Sequence, residues 1–130
     1  WYDYQSISVE ESLKVYRNQP ISQERLDFCL NTTREIELDC EKRAVRLFKK
    51  YKIPIDISNY IKGANAYIHF YNHIKKYRQW YPPGKMPYAK RKLREAASPR
   101  FYKDYSEIPP EMAELYKKYY PEKRNNKITV

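Results

Sequence analysis

The stretch SQERLDFCLNTTREIELDCEKRAVRLFKKY, residues 22–51, places apolar side chains at steps of three and four. This spacing is typical of one face of an α-helix, and here it continues for about seven turns. Ser22 has the side chain of a good N-cap, which accepts a hydrogen bond from the first turn. The stretch therefore predicts one long amphipathic helix, and the rest of the chain is interpreted around it.

A further helical pattern follows a short break. The sequence IPID at 53–56 cannot continue the long helix, and either Asp56 or Ser58 can cap a new one over 58–80. Small residues near its start, among them Gly63, allow a neighbouring helix to approach closely. We therefore expect the two helices to pack antiparallel around a short turn and to form the core.

The two ends of the chain carry weaker signals. Ser8 and Glu11 have the S-x-x-E form of a capping box and predict a short helix over 9–18. After residue 81, repeated prolines leave only short helical candidates at 88–97 and 111–120. The aromatic residues of this region are too numerous for a freely solvated tail, so we expect it to lie on its own hairpin or on another subunit.

The sequence thus predicts an all-α fold with two parts. Residues 1–81 form an antiparallel helical hairpin with a short N-terminal helix. Residues 82–130 form an extended, proline-rich, basic and aromatic C-terminal arm with short helices, the last of them near its end.

Charge is concentrated in the second half of the 130 residues. Residues 1–60 hold ten bases and ten acids, whereas residues 61–130 hold sixteen bases and six acids, which accounts for the net charge of +10. Only two glycines are present, which disfavours a β-barrel with many tight turns and a glycine-rich phosphate loop. A positive field of this kind suits an anionic surface, whether nucleic acid, lipid headgroups or an acidic protein.

Basic and aromatic side chains alternate in the region of highest charge. We expect the bases to contact the anionic surface; they are Lys75, Lys76, Arg78, Lys90, Arg91, Lys92 and Arg94. We expect the rings to supply contact area with little loss of entropy; they are Tyr77, Trp80, Tyr81, Tyr88, Phe101 and Tyr102. The pattern fits both the ring belts of membrane surfaces and the stacking platforms of RNA-binding proteins.

Reactive side chains are few. Cys29 and Cys40 lie eleven residues apart on one helix, about 16 Å, which is too far for a mutual disulfide. We expect buried free thiols, with a bridge to another chain or a regulatory role as the alternative. His69 and His73 have no neighbouring acid to complete a zinc site, and no nucleophile motif is present. We therefore expect no enzymatic activity, no metal and no cofactor.

A short region resembles a known family. Residues 23–29, Cys40 and residues 44–48 are similar to the PDSW-type accessory subunit of respiratory complex I. The resemblance implies a subunit of a mitochondrial respiratory complex with cysteines on helices facing the intermembrane space. This chain departs from the family in its cysteine spacing and in lacking a second cysteine pair.

We therefore expect a noncatalytic structural subunit that is peripheral to the mitochondrial inner membrane, on the matrix side or on the intermembrane-space side. It would brace neighbouring protein subunits of an electron-transport or ATP synthase complex and contact anionic lipid such as cardiolipin. The alternative is an RNA-binding protein of the mitochondrial ribosome, which would use the same bases against phosphates.

Overall fold

The computed structural model describes residues 8–122, and helices make up all of its regular structure. Residues 8–12 are helical and are followed by turns through residue 18. The further elements are α1 (Gln23–Lys50), α2 (Ile57–Ile68), α3 (Phe70–Tyr77), a 3-10 helix (Pro87–Ala89), α4 (Arg91–Ala96) and α5 (Pro110–Tyr119). No strand occurs within the described range, so the predicted all-α class is confirmed.

Local capping sets where the two central helices begin. The side chain of Ser22 accepts a hydrogen bond from the Arg25 backbone N–H at 3.2 Å, as the sequence predicts. Asp56, the first of the two predicted alternatives, caps α2 through a 3.0 Å hydrogen bond from the Asn59 backbone N–H. Both caps satisfy a backbone donor that would otherwise lack a partner at the helix start.

The predicted continuous helix over 58–80 is wrong in two places. It is interrupted at His69, and it ends at Tyr77 because Arg78 adopts a left-handed conformation with φ of 51°. The Arg78 guanidinium donates to the Gln23 side chain at 3.1 Å and to the Ile21 carbonyl at 2.8 Å. These bonds to the segment around the start of α1 offset the cost of the left-handed conformation.

The shorter helices also differ from their predicted bounds. The predicted helix over 9–18 is helical only through residue 12, and Asn18 at its end has a φ of 54°. The predicted helix over 88–97 is divided into the 3-10 helix and α4, with extended backbone at Lys90 between them. The last helix, predicted over 111–120, begins and ends one residue earlier as α5.

Successive residues of α1 contact residues of α2 and α3 in the opposite chain order. The rings of Phe48 and Tyr60 meet edge to face at 5.0 Å, close to the loop that joins the helices. Arg34 donates to the Asn72 side chain at 2.9 Å, farther from that loop. Near the start of α1, Gln23 donates to the carbonyl of a residue late in α3 at 2.7 Å. α1 therefore runs in the opposite direction to α2 and α3.

One core includes residues from both sides of the predicted boundary at residue 81. Its buried members are Ile21, Leu26, Leu30, Ala66, Phe70, Tyr71, Ile74, Leu93, Ala97, Met112, Tyr116 and Tyr120. Residues 82–122 therefore pack on the helices before them, and a second, smaller cluster of Leu38, Ile68 and Tyr105 also contains residues from both sides of this boundary. The remainder of the predicted arm, residues 123–130, lies outside the described residues, as do residues 1–7.

Asn65 on α2 connects the chain after α4 to the helices. Its side chain is fully buried and donates to the carbonyls of Ser98 at 3.0 Å and Arg100 at 2.9 Å. Its amide oxygen accepts a hydrogen bond of 2.5 Å from the Tyr105 hydroxyl. One side chain therefore holds three points of the connection between α4 and α5.

Replacement of Asn65 by Ala should destabilise the fold strongly. Removal of the amide takes the donor from two part-buried carbonyls and the acceptor from the buried Tyr105 hydroxyl, so we expect the free energy of unfolding to fall by about 3 kcal/mol. Urea denaturation followed by circular dichroism measures this change. The matched control Asn59→Ala, at an exposed position of the same helix, should change stability by less than about 0.5 kcal/mol. Equal losses for both variants would contradict the role of Asn65.

Candidate functional site

The three bases at the C-terminal end of α3 differ in how much of each side chain is exposed. Arg78 is 7% exposed and uses its guanidinium on the start of α1, which differs from the expectation that it faces an external anion. Lys75 is half-buried, and its ammonium donates to the Asn31 side chain at 2.6 Å. Burial and the nearby Arg34 lower the pKa of Lys75. Only Lys76 of the three is exposed.

The second basic run has a larger exposed part. Arg91 and Lys92 are exposed, and Arg91 forms a 2.8 Å ion pair with Glu95 one turn later. Arg94 is half-buried and donates to a backbone carbonyl of the 3-10 helix at 3.0 Å. The Lys90 ammonium lies 5.1 Å from the centre of a ring of α5. The seven predicted bases therefore do not form one continuous contact surface.

Most of the predicted contact rings pack inside the protein. Tyr81 and Trp80 lie against the core, and the Tyr81 ring is 5.9 Å from Phe70. Tyr77, Phe101 and Tyr102 are half-buried, and only Tyr88, 46% exposed, presents a large part of its ring to solvent. The fold uses this aromatic area internally, so little of it remains for a partner.

The two cysteines lie in different environments. Cys29 is buried, donates weakly to a Glu11 carboxylate oxygen at 3.6 Å, and has its pKa raised chiefly by burial. Cys40 is exposed, contrary to the expectation of a buried thiol. Both are free, and no group of three or more side chains suited to a metal occurs within residues 8–122.

Both histidines are buried among aromatic rings. His69 lies 4.6 Å from the Tyr102 ring, and His73 has its Nε2 at 3.0 Å from the Tyr120 carbonyl oxygen. Burial lowers the pKa of each to about 4, because desolvation penalises the charged imidazolium. Neutral, packed histidines of this kind contribute to the core.

A different basic surface lies at the loop between α1 and α2. We call it the basic tip; it comprises Arg46, Leu47, Lys49, Lys50, Tyr51, Lys52, Ile53 and Ile55. Four of the eight large apolar side chains found exposed in the described residues belong to it: Leu47 (51%), Tyr51 (64%), Ile53 (43%) and Ile55 (39%). No acid occurs between Lys42 and Ile55. The tip therefore combines four exposed apolar side chains with four bases and no acid, and Asp56 follows directly after it.

Local structure forces the tip to turn sharply. α1 ends at Lys50, and Lys52 follows in a left-handed conformation with φ of 50°. The Ile53 N–H then donates to the Phe48 carbonyl at 2.9 Å, and the Lys52 N–H lies at 3.4 Å from the Lys49 carbonyl. This is the Schellman type of helix end, in which the left-handed position is usually glycine. Here the turn carries a lysine instead.

The charges of the tip are visible in the sequence, as six bases without an acid over residues 42–52. Bases at a helix end are favourable because of the helix dipole, so the charge pattern alone does not indicate a contact surface. The second signal for a contact surface is the group of exposed apolar side chains at the same place. Their exposure depends on tertiary packing, so the sequence alone does not show it.

Comparison with protein-family models, curated proteins and solved structures found no match. Within residues 8–122, no helix combines the length and apolar character needed to cross a membrane.

Acidification should destabilise the protein through its buried histidines. The folded-state pKa of His69 and His73 is about 4, below the ordinary 6.5, so the unfolded chain binds more protons between these values. Stability is therefore retained above pH 6.5 and lost as the pH falls towards 4, by up to about 1.4 kcal/mol per pH unit for each histidine. Urea denaturation across this range should show the slope, and His69→Phe should reduce it by the contribution of that histidine. An unchanged slope in that variant would contradict the assignment.

Glycine at position 52 should stabilise the turn. Lys52→Gly removes the left-handed strain of a residue with a Cβ, so we expect the free energy of unfolding to rise by about 1 kcal/mol. The control Lys49→Gly lies within α1 and removes the same charge, but it should lower stability by about 1 kcal/mol. Thermal and urea denaturation distinguish the two signs, and a loss of stability in both variants would contradict the turn geometry.

Proposed function

We propose that the chain is a noncatalytic structural subunit that binds peripherally to an anionic membrane surface through its basic tip. The proposal depends on one observation, the coincidence of exposed Leu47, Tyr51, Ile53 and Ile55 with an acid-free run of bases. Apolar insertion and electrostatic attraction each give weak membrane affinity alone, and together they give stable binding. Each base near an anionic surface contributes about 1 kcal/mol.

The type of apolar side chain favours lipid over RNA. Three of the four exposed groups are aliphatic, and aliphatic side chains do not stack on unpaired bases as aromatic rings do. Tyr51 is the exception, and tyrosine is also enriched where membrane meets water. RNA binding is therefore the alternative outcome of the experiment below.

The proposed setting is a large assembly of the mitochondrial inner membrane. The resemblance of residues 23–29, Cys40 and residues 44–48 to an accessory subunit of respiratory complex I supports this setting, and cardiolipin is then the anionic lipid in contact with the tip. The bases that remain exposed outside the tip, Lys76, Arg91 and Lys92, are available to acidic neighbouring subunits. The chain would brace the assembly at its membrane edge.

Binding to vesicles tests the lipid contact. The full chain is mixed with vesicles that contain cardiolipin and phosphatidylcholine, or phosphatidylcholine alone, and the bound fraction is measured by flotation. We expect binding only with cardiolipin. Lys49→Gln with Lys50→Gln should weaken it roughly thirtyfold, since two tip charges are lost. Ile53→Ser should weaken the binding that persists at high salt, where charge is screened.

A matched control removes the same charge elsewhere. Lys76→Gln with Lys92→Gln changes two exposed bases outside the tip and should reduce binding much less. Equal losses in the two double variants would show that net charge alone drives binding, which contradicts a specific role for the tip. Tighter binding to single-stranded RNA than to cardiolipin vesicles at the same salt concentration would favour the RNA-binding alternative.

Fractionation tests the proposed assembly. The native chain should migrate with a detergent-solubilised respiratory complex and should remain with it at high ionic strength, because apolar contacts resist salt. Recovery in a soluble ribosomal fraction would contradict this setting without bearing on the vesicle result.

A further inference from the structure

A pocket of about 500 Å³ lies between α1 and α2, and none of its lining residues belongs to the basic tip. Its acidic wall is formed by Glu37 and Glu41, which lie one turn apart on α1. The remaining walls are formed by Asn59, Tyr60, Gly63, Ala64, Tyr67, Tyr88 and Arg94. The pocket therefore places two carboxylates among three tyrosine rings.

The two carboxylates are poorly compensated. Burial, and secondarily the charge of Glu41, raise the pKa of Glu37. The Oε2 atom of Glu41 is buried and has no hydrogen-bond partner within residues 8–122, while burial and the neighbouring Glu41 carboxylate raise the pKa of Tyr60 to about 12. No ion pair involving either acid is found in that range. A buried carboxylate oxygen without a donor is unfavourable, and a cation with N–H groups relieves it.

Arg94 does not supply that cation. Its Nη1 donates to the carbonyl of Tyr88 at 3.0 Å, which directs the guanidinium to the 3-10 helix. With two acids and one base, the pocket retains a net negative charge. A ligand with a single positive charge would balance it.

The rings define the form of the cation. Tyr67 and Tyr88 meet at a tilt with their centres 6.1 Å apart, and Tyr60 lies two turns earlier than Tyr67 on α2. Tyrosine faces attract an ammonium group that lies within about 6 Å of the ring centre, and ring walls also cover an alkyl chain. An ammonium has three donors, so it can serve both carboxylates at once. Rotation about the terminal bond of a glutamate is broad, so the orphaned oxygen can turn towards the ligand.

We propose that this pocket binds a primary alkylammonium group, with Glu41 and Glu37 as acceptors and the tyrosine rings as its walls. The group can come from a free amine or from a lysine side chain of a neighbouring protein. Both sources present the same ammonium on a flexible alkyl chain, and the pocket is open enough to admit either.

Titration of the full chain tests the site. The probes are n-butylammonium, its neutral counterpart n-butanol, spermidine, and N-acetyl-lysine methylamide, with binding followed by NMR shifts of the Gly63 and Ala64 amides. We expect n-butylammonium to bind and n-butanol not to bind. Stronger binding of spermidine than of the lysine derivative would identify a free amine as the source, and the reverse order would identify lysine.

Variants distinguish a specific binding site from non-specific electrostatic attraction. Glu41→Gln keeps the side-chain shape and should weaken n-butylammonium binding about tenfold or more, because a charge-assisted hydrogen bond is lost. The control Asp39→Asn removes one exposed acid from the same helix and should leave binding unchanged. Equal weakening in both variants, equal shifts with n-butanol, or no shift with any amine would overturn the proposal. None of these outcomes affects the vesicle experiment.

Discussion

The hydrogen bond between Asn65 and Tyr105 is the constraint on which the rest of the structure depends. Asn65 has no exposed surface, and its amide nitrogen is already committed to two carbonyls after α4. The Tyr105 carbonyl accepts from Arg34 at 3.1 Å and from Asn72 at 2.6 Å. Side chains from α1, α2 and α3 therefore all hydrogen-bond to the connection between α4 and α5. This proline-rich connection has a defined path although it contains no regular secondary structure.

That path determines how the aromatic residues are used. Because the connection is held against α2, α5 lies on the core, where Tyr116 donates to the Ala66 carbonyl and Tyr120 packs on Phe70 with ring centres 4.8 Å apart. Of the two positions expected for residues 82–122, on the chain's own helices or on another subunit, packing on the chain's own helices is the one observed. Half of the large apolar side chains that remain exposed in residues 8–122 belong to the basic tip, and for this reason the proposed docking role lies there and not in the aromatic segment.

The parts of the fold set by local chemistry were predictable from the sequence. The caps at Ser22 and Asp56 need only a short polar side chain before a helical pattern, so both helix starts agree with the prediction. The end at Arg78 was not predictable, because a left-handed arginine is favourable only with partners about fifty residues away. The same limit applies to the candidate sites. Charge at the tip is visible in the sequence, whereas the exposure of Leu47 and the missing partner of Glu41 depend on packing.

Two bases of the fold, Lys52 and Arg78, adopt a left-handed conformation, and their side chains are used differently. Within residues 8–122, positive φ occurs at Asn18, Lys52, Arg78 and Gly84, and asparagine and glycine tolerate this conformation at little cost. Arg78 is a base at such a position, and its two internal hydrogen bonds account for it. Lys52 is exposed and has no hydrogen bond or ion pair from its side chain in the described range. Glycine would serve the turn better, so the chain keeps a charge at the tip at the expense of its own stability. Strain of this kind often occurs at functional positions, so the left-handed Lys52 is consistent with the membrane contact proposed for the tip.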